Sequence, residues 1–167
     1  MRKLIVPFAL LLMGVLLGTA VVRDCVRLAA DRNNRVLVAD GDMATQEIRL
    51  VDFLMNSPKT TPEVYAAIST FKTIKGRQAR TQAFDALVAS YRKTMSGKLD
   101  ANNPLDRKLM DEVDGAINRR DVAQKRYDEE ASDYLDFLQS WRGGIAKKFY
   151  LDAQRYVSQQ AEQPLTP

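Results

Sequence analysis

The apolar residues of this chain recur at steps of three, four and seven, and this periodicity is typical of amphipathic helices. The longest stripe comprises Leu109, Val113, Ala116, Ala123, Tyr127, Ala131, Tyr134, Leu138 and Trp141. Two earlier stripes comprise Leu37, Ala44, Ile48, Val51 and Met55, and then Val64, Ile68, Phe71, Phe84, Leu87, Val88, Tyr91 and Met95. No stretch alternates strictly over the length of a strand, and no hairpin signal occurs. The sequence therefore predicts an all-α protein.

The ends of these helices are marked by proline, glycine and capping residues. Ser-Pro at 57–58 predicts the end of a helix, because a proline ring disfavours helical geometry at the preceding residue. Thr-Pro-Glu at 61–63 predicts the next start, with threonine as the N-cap. Gly97 then ends a helix, Asn-Pro at 103–104 opens another, and Gly-Gly at 143–144 is the last strong breaker.

These boundaries predict an antiparallel bundle of three long helices and a short C-terminal helix. The predicted helices cover residues 24–57, 62–96, 104–142 and 145–160. Each long helix would span roughly 50 Å at about 1.5 Å per residue, and short links between helices of similar length favour antiparallel neighbours. The bundle domain is predicted at 23–160, and a flexible tail at 161–167.

The N-terminal segment, residues 1–22, predicts a transmembrane anchor or a signal peptide that precedes the bundle. A short basic start is followed by the run Leu4–Val22, which contains no charged residue. A membrane span needs about 20 apolar residues, whereas the apolar part of a cleaved signal usually has about 7–15. The small residues at 18–20 favour cleavage after Ala20, and the full length of the run favours a retained anchor. Both alternatives stay open.

Histidine is absent and Cys25 is the single cysteine, which limits the chemistry available. Histidine-based triads, Cys/His zinc sites and an intramolecular disulfide are therefore excluded. Arg23 and Asp24 precede the cysteine and disfavour lipidation, so Cys25 is interpreted as a spare thiol at the membrane edge. The acidic clusters at 111–114 and 128–130 lie mostly off the apolar stripe. We predict no enzyme and no catalytic, cofactor-binding or metal-binding residue.

The net charge of +4 is modest, and both signs are mixed along every helix. The longest basic cluster, between Lys72 and Arg80, spreads over several helix faces. Proteins that bind nucleic acids usually concentrate their cations in one patch or stripe. The distribution therefore predicts a solvated surface and no nucleic-acid partner.

Tyr127, Tyr134 and Trp141 are spaced seven apart, so on one helix they lie nearly on one line. Small residues separate them on the same face, which predicts a packing seam against a neighbouring helix rather than an aromatic binding surface. A buried tyrosine hydroxyl usually has a polar partner. Arg120 and Glu130 flank the stripe, and they could supply this partner or form a partly buried ion pair.

The segment 118–149 resembles the signature of the LemA family. The resemblance is carried by Asn118-Arg119, Val122-Ala123, Arg126-Tyr127, Asp133-Tyr134, Leu138 and Ser140, and then by Ile145, Ala146 and Phe149. The chain departs from the family at Asp128 and Leu135, where members usually carry asparagine, and at Trp141–Gly143, which replaces a Phe-Pro ending. It is therefore similar to a divergent member. The resemblance implies a bacterial membrane-anchored helical bundle without a defined molecular activity.

The predicted N-terminal anchor, the predicted helical bundle and the resemblance to the LemA family together predict a LemA-like envelope protein. This protein would serve as a protein-interaction or assembly scaffold. It would contact the membrane through its N-terminal helix and bind another protein or a second copy. The predicted location is the inner membrane of a bacterium, with the domain outside the cytoplasm, or the periplasm after cleavage. The alternative function is a cleaved periplasmic module that holds a small ligand near Tyr91, Tyr127 and Tyr134.

Overall fold

A computed structural model describes the backbone of residues 2–150 and the side chains of residues 11–150. Its elements are α1 (Arg2–Met55), α2 (Pro62–Thr73), α3 (Arg77–Thr94), α4 (Pro104–Gln139) and α5 (Trp141–Phe149), with a 3-10 turn at Ser96–Lys98. No strand occurs in this part of the chain. The predicted all-α class is confirmed.

The chain forms two compact units. Unit 1 contains Met1–Ala39 and Arg126–Pro167, and unit 2 contains Asp40–Lys125. The helices α1 and α4 each contribute residues to both units. Each unit has its own cluster of buried apolar side chains.

The first helix, α1, begins at Arg2 and continues without interruption to Met55. The predicted helix 24–57 is therefore the C-terminal part of a longer helix that starts within segment 1–22. Over residues 11–150, no helix holds an apolar stretch sufficient to cross a membrane. The predicted anchor or signal peptide begins outside the residues whose side chains are described. The predicted tail at 161–167 and residues 151–160 of the last predicted helix also lie outside the described residues.

The buried face of α1 is rotated from the predicted stripe. Leu37 and Ile48 are 60% and 55% exposed, so their predicted place in the core is wrong. The buried positions step by three and four and comprise Val36, Ala39, Met43, Glu47, Leu50 and Leu54, and Val51 of the predicted stripe is buried as well. A glutamate at an interior position breaks the apolar pattern, which is why the sequence favoured the wrong face.

The core of unit 2 joins all the helices that contribute to this unit. It contains Leu50, Val51 and Leu54 of α1, Val64, Ile68 and Phe71 of α2, Phe84, Leu87 and Tyr91 of α3, and Val113, Ala116 and Ile117 of α4. All of these side chains except Leu50, Leu54 and Ile117 belong to the predicted stripes. Their burial is the main source of stability for this unit, since apolar surface contributes roughly 25 cal/mol per Å² removed from water.

The segment predicted as one helix at 62–96 is an antiparallel hairpin of two helices. α2 ends at Thr73, Ile74 is extended, and Gly76 has a φ of 92°, a left-handed value that glycine adopts without strain. The rings of Phe71 and Phe84 then meet edge to face at 6.2 Å. The prediction of a continuous helix was wrong because the long apolar pattern outweighed a single glycine.

Thr61 begins α2 as predicted and also ties the two ends of the hairpin. Its hydroxyl oxygen accepts a hydrogen bond from the Val64 amide at 3.5 Å and lies 2.9 Å from the hydroxyl oxygen of Thr94 at the end of α3. Pro62 occupies the first helical position. The cap therefore satisfies a helix-end donor and connects α2 to α3.

We expect Thr61→Ala to lower the free energy of unfolding by about 1 kcal/mol, because the cap is lost. Thr61→Ser retains the hydroxyl group, so its free energy of unfolding should fall by less than that of Thr61→Ala. Thr70→Ala is the matched control, since Thr70 is exposed within the same helix and alanine is the better helix former. Denaturant unfolding of the three variants checks this result, and an equal effect of T61A and T70A would contradict it.

The core of unit 1 is formed by α1, α4 and α5. It contains Cys25, Ala29, Val36 and Ala39, then Tyr127, Ala131, Tyr134, Phe137 and Leu138, and finally Ala146. Cys25, which was interpreted as a spare thiol at the membrane edge, is a free cysteine that is 1% exposed within this cluster. The seam predicted for Tyr127 and Tyr134 is confirmed.

The junction between α4 and α5 differs from its prediction. α4 ends at Gln139, and Ser140 caps α5 by accepting a hydrogen bond from the Gly143 amide at 3.2 Å. Gly143 and Gly144 lie in the first turn of α5 instead of breaking a helix. Trp141 lies beyond the end of α4 and is 65% exposed, so its predicted place in the seam is wrong.

Candidate functional site

The most unusual polar arrangement in the described residues is a buried glutamate between two arginines in unit 2. Glu47 of α1 has a fully buried side chain. Its Oε2 lies 2.7 Å from Nε of Arg80 on α3, and its Oε1 lies 3.5 Å from Nε of Arg120 on α4. Arg120 is almost completely buried, whereas Arg80 is partly exposed. One carboxylate thus connects three helices.

Two phenylalanine rings complete this arrangement. The guanidinium carbon of Arg120 lies 4.7 Å from the ring centroid of Phe84, and that of Arg80 lies 5.5 Å from the centroid of Phe71. A cation within about 6 Å of a ring face is attracted by the negative face of the ring. We call these five residues the Glu47 cluster.

The electrostatics of the Glu47 cluster are those of a desolvated carboxylate with paired cations. Burial raises the pKa of the Glu47 carboxyl group above its ordinary value, while Arg80 and Arg120 pull the pKa downward. Arg120 also lies 3.8 Å from the exposed Asp121 carboxylate. The Glu47 side chain is closed off from solvent in this structure. The cluster is suited to fixing which helix faces meet.

Sequence reasoning missed Glu47 and Arg80. Arg120 was expected to partner a tyrosine hydroxyl or Glu130, and the structure instead places it beside Glu47. The available signal was spacing, since Glu47 lies four residues after Met43 and three before Leu50 on the buried face of α1. A charged residue at such a position indicates a buried partner of opposite charge.

A cleft of about 480 Å³ lies where the loop after α1 meets the first turns of α4, within unit 2. Its lining comprises Phe53, Asn56, Ser57, Pro58, Lys59, Asn103, Leu105, Asp106, Lys108, Leu109 and Glu112. This volume is within the range of small-molecule sites. Leu105 is 78% exposed at its edge. The cleft could take an apolar group beside one ion pair.

That ion pair joins Lys59 and the buried Asp106 carboxylate. The Asp100 amide also donates to Asp106 Oδ2 at 2.9 Å. The hydrogen bond from Lys59, helped by that from Asp100, holds the pKa of Asp106 below its ordinary value. Asp106 therefore fastens the loop before α2 and the turn before α4 to the start of α4.

We expect Asp106→Asn to destabilise the protein at neutral pH and to lose this effect in acid. The folded-state pKa is lowered, so the stabilisation is present above the unfolded value of about 3.9 and disappears as pH falls through the folded pKa. Urea unfolding at pH 7 and at pH 3 should show the gap between wild type and variant closing. Asp111→Asn changes an exposed carboxylate of the same helix and should show no such closing gap.

The three tyrosines proposed to surround a ligand belong to different cores. Tyr91 lies in the cluster of unit 2, whereas Tyr127 and Tyr134 lie in the cluster of unit 1. The cleft beside Lys59 and a smaller groove of about 380 Å³ beside Phe84 are lined by none of them. The structure thus assigns these rings to helix packing.

Acidic side chains do not converge in the part of the chain that the structure describes. No group of three or more Asp, Glu, Cys or His residues there is placed to hold a metal ion. Asp111, Asp114, Asp128 and Glu129 are exposed.

The chain matches no protein-family model, and no curated protein or solved structure is significantly similar to it.

Proposed function

We propose that this chain is a LemA-like protein of the bacterial envelope, anchored in the membrane by residues 1–22. Its helical units act as a scaffold that binds another protein or a second copy of the chain. The domain lies outside the cytoplasm. We assign it no catalytic residue, cofactor or metal.

One observation carries the anchor: an apolar surface exposed on α1. Its large members are Leu11, Leu12, Met13, Val15, Leu16 and Leu17, which are 51–66% exposed. In the sequence, the uncharged run extends from there back to Leu4 and on to Val22. Contiguous exposed apolar surface marks a contact with a membrane or a protein. A run close to the length of a membrane span favours the membrane.

The resemblance to the LemA family supports the scaffold. Its matched positions Tyr127, Tyr134 and Leu138 are buried side chains of α4 that pack in unit 1. Residues shared at such positions preserve the packing between helices. The Glu47 cluster also has a geometry suited to joining helices, because its carboxylate is closed to solvent. These features support a role in which the helical surface, rather than a reactive group, is presented to a partner.

The anchor is tested by the N-terminal residue of the protein recovered from cells and by its partition into membranes. We expect an uncleaved chain that resists carbonate extraction. A chain that begins at Val21 in a soluble periplasmic extract would overturn the anchor and support the alternative, a cleaved module for a small ligand.

A pair of matched variants sharpens this test. Leu16 and Leu37 both belong to α1 and are 61% and 60% exposed. Arginine near the centre of a membrane span costs about 2.5–3.5 kcal/mol on insertion scales. Leu16→Arg should therefore reduce the membrane-bound fraction, while Leu37→Arg, outside the uncharged run, should leave it unchanged. Equal retention of the two variants would count against the anchor.

The scaffold is tested by crosslinking in intact membranes. A discrete adduct is expected, either a dimer of this chain or a complex with one other protein. Disruption of this adduct by a surface substitution that leaves the helix content unchanged would support a specific contact. Recovery of the uncrosslinked monomer alone, at normal expression, would overturn the scaffold.

A further inference from the structure

The outward face of α5 is both aromatic and basic. Trp141 and Phe149 are 65% and 63% exposed, and Arg142 and Lys148 are also exposed. The helix carries a third cation, Lys147, and no acidic residue. The guanidinium carbon of Arg142 lies 5.3 Å from the Trp141 ring centroid. Two large aromatic side chains exposed to water beside cations have no function in the core.

The opposite face of α5 packs in the core of unit 1. Ala146 belongs to the same buried cluster as Cys25 and Ala29 of α1. Cys25 follows Val22, the last residue of the uncharged run, by three residues, or about 4.5 Å of helix. α5 thus packs in the core of unit 1, and the first residue of this core in the sequence, Cys25, lies just after the uncharged run.

That combination of side chains is the one favoured at the boundary between a bilayer and water. Tryptophan is enriched at the level of the lipid headgroups, because its ring is apolar and its N–H is polar. Each Lys or Arg near an anionic bilayer surface contributes roughly 1 kcal/mol of attraction. Arginine and lysine also extend apolar stems toward the lipid while their charged ends contact phosphate.

We propose that the face of α5 formed by Trp141, Arg142, Lys148 and Phe149 lies against the headgroup region of a bilayer that contains anionic lipid. This inference rests on the proposed anchor and extends it, because it adds a second membrane contact. It places the membrane surface beside the first turn of α1 after Val22. The chemical group that this face recognises is the lipid phosphate, and the upper carbons of the acyl chains lie beneath that phosphate.

The chain contains a single tryptophan, so its fluorescence reports on Trp141 alone. The full chain is reconstituted in vesicles of phosphatidylcholine, with or without phosphatidylglycerol. In the anionic vesicles we expect a blue-shifted emission, protection from iodide, and stronger quenching by lipids brominated near the headgroup than by lipids brominated deep in the acyl chain. Flotation of the same samples reports separately on the anchor.

The double variant Arg142→Glu and Lys148→Glu reverses two cations on this face. Quenching by shallow brominated lipid should fall by at least about half, because each cation contributes comparably to the attraction. Arg49→Glu with Lys93→Glu is the matched control, since it makes the same charge change at exposed positions of unit 2 and should keep the wild-type quenching. Circular dichroism confirms that the variants fold.

The outcomes separate the two proposals. A chain that floats with anionic vesicles while Trp141 stays open to iodide would overturn the contact of α5 and leave the anchor standing. A chain that neither floats nor shifts its emission would overturn both. A blue shift that ignores lipid charge and survives R142E/K148E would also overturn the inference, because the covering surface would then not be an anionic headgroup layer.

Discussion

Replacing Arg120 with methionine is expected to lower the free energy of unfolding by about 3–5 kcal/mol at neutral pH, the cost of breaking a buried ion pair. Arg120 is almost completely buried and faces the fully buried Glu47 carboxylate. Methionine keeps much of the apolar stem, so the loss measures the missing charge and its contact with Phe84 more than an empty volume. Arg80 remains, but its partly exposed side chain is screened by water.

The pH dependence of that loss identifies its cause. Burial already raises the pKa of Glu47, and Arg120 is one of the two cations that oppose this rise. Without Arg120 the folded-state pKa rises further. Because the pKa of Glu47 is raised in the folded state, the folded protein has its full stability below the unfolded-state pKa of about 4.3. It loses stability as pH rises through the folded-state pKa. The R120M defect should therefore be larger at pH 7 than at pH 4.5.

Denaturant unfolding at the two pH values measures this effect, and two further variants test its origin. Arg119→Met changes the adjacent exposed arginine, which contacts Gln46, and should cost less than about 0.5 kcal/mol. Arg120→Met combined with Glu47→Leu removes both charges and should regain most of the loss, because an apolar pair needs no compensation. A defect in R120M that is independent of pH, or a double variant as unstable as R120M, would refute the buried-pair interpretation.

The sequence predicted the parts of this fold that depend on local rules. Helical periodicity identified the all-α class, and Pro58, Thr61 and Pro104 marked ends that the structure places within a few residues. The capping role of Thr61 follows from its own hydroxyl and the proline beside it. The burial of Tyr127 and Tyr134 follows from their spacing with small residues on one face of α4.

The parts that depend on contacts between distant segments were not predicted. Glu47 looks like a solvated residue until α3 and α4 bring Arg80 and Arg120 beside it. Gly76 allows a reversal, but contacts between α2 and α3, such as that of Phe71 with Phe84, favour a hairpin over a continuous helix. Apolar periodicity alone does not distinguish these outcomes, because both bury the same residues.

The corner between α4 and α5 shows the same limit and leads to the second prediction. Gly143 and Gly144 are adjacent in sequence and were read together as a helix breaker, yet they have different surroundings. A Cβ atom at Gly143 would lie 2.1 Å from the Phe137 carbonyl oxygen and 2.5 Å from the Leu138 Cα. A Cβ atom at Gly144 would meet nothing within 4 Å. Only the first glycine is required, because α5 turns closely over the last residues of α4.

Gly143→Ala is therefore expected to lower the free energy of unfolding by about 1–3 kcal/mol or more, since the obstacle is backbone and cannot rotate away. Gly144→Ala should raise it by about 0.5–1 kcal/mol, because alanine is the better helix former. The two variants add the same methyl group to neighbouring positions of one helix, so each controls for the other. Urea unfolding gives both values, and the near-ultraviolet signal of Trp141 should change in G143A if the corner opens. Equal stabilities of G143A and G144A would show that α5 does not approach α4 as closely as the structure describes.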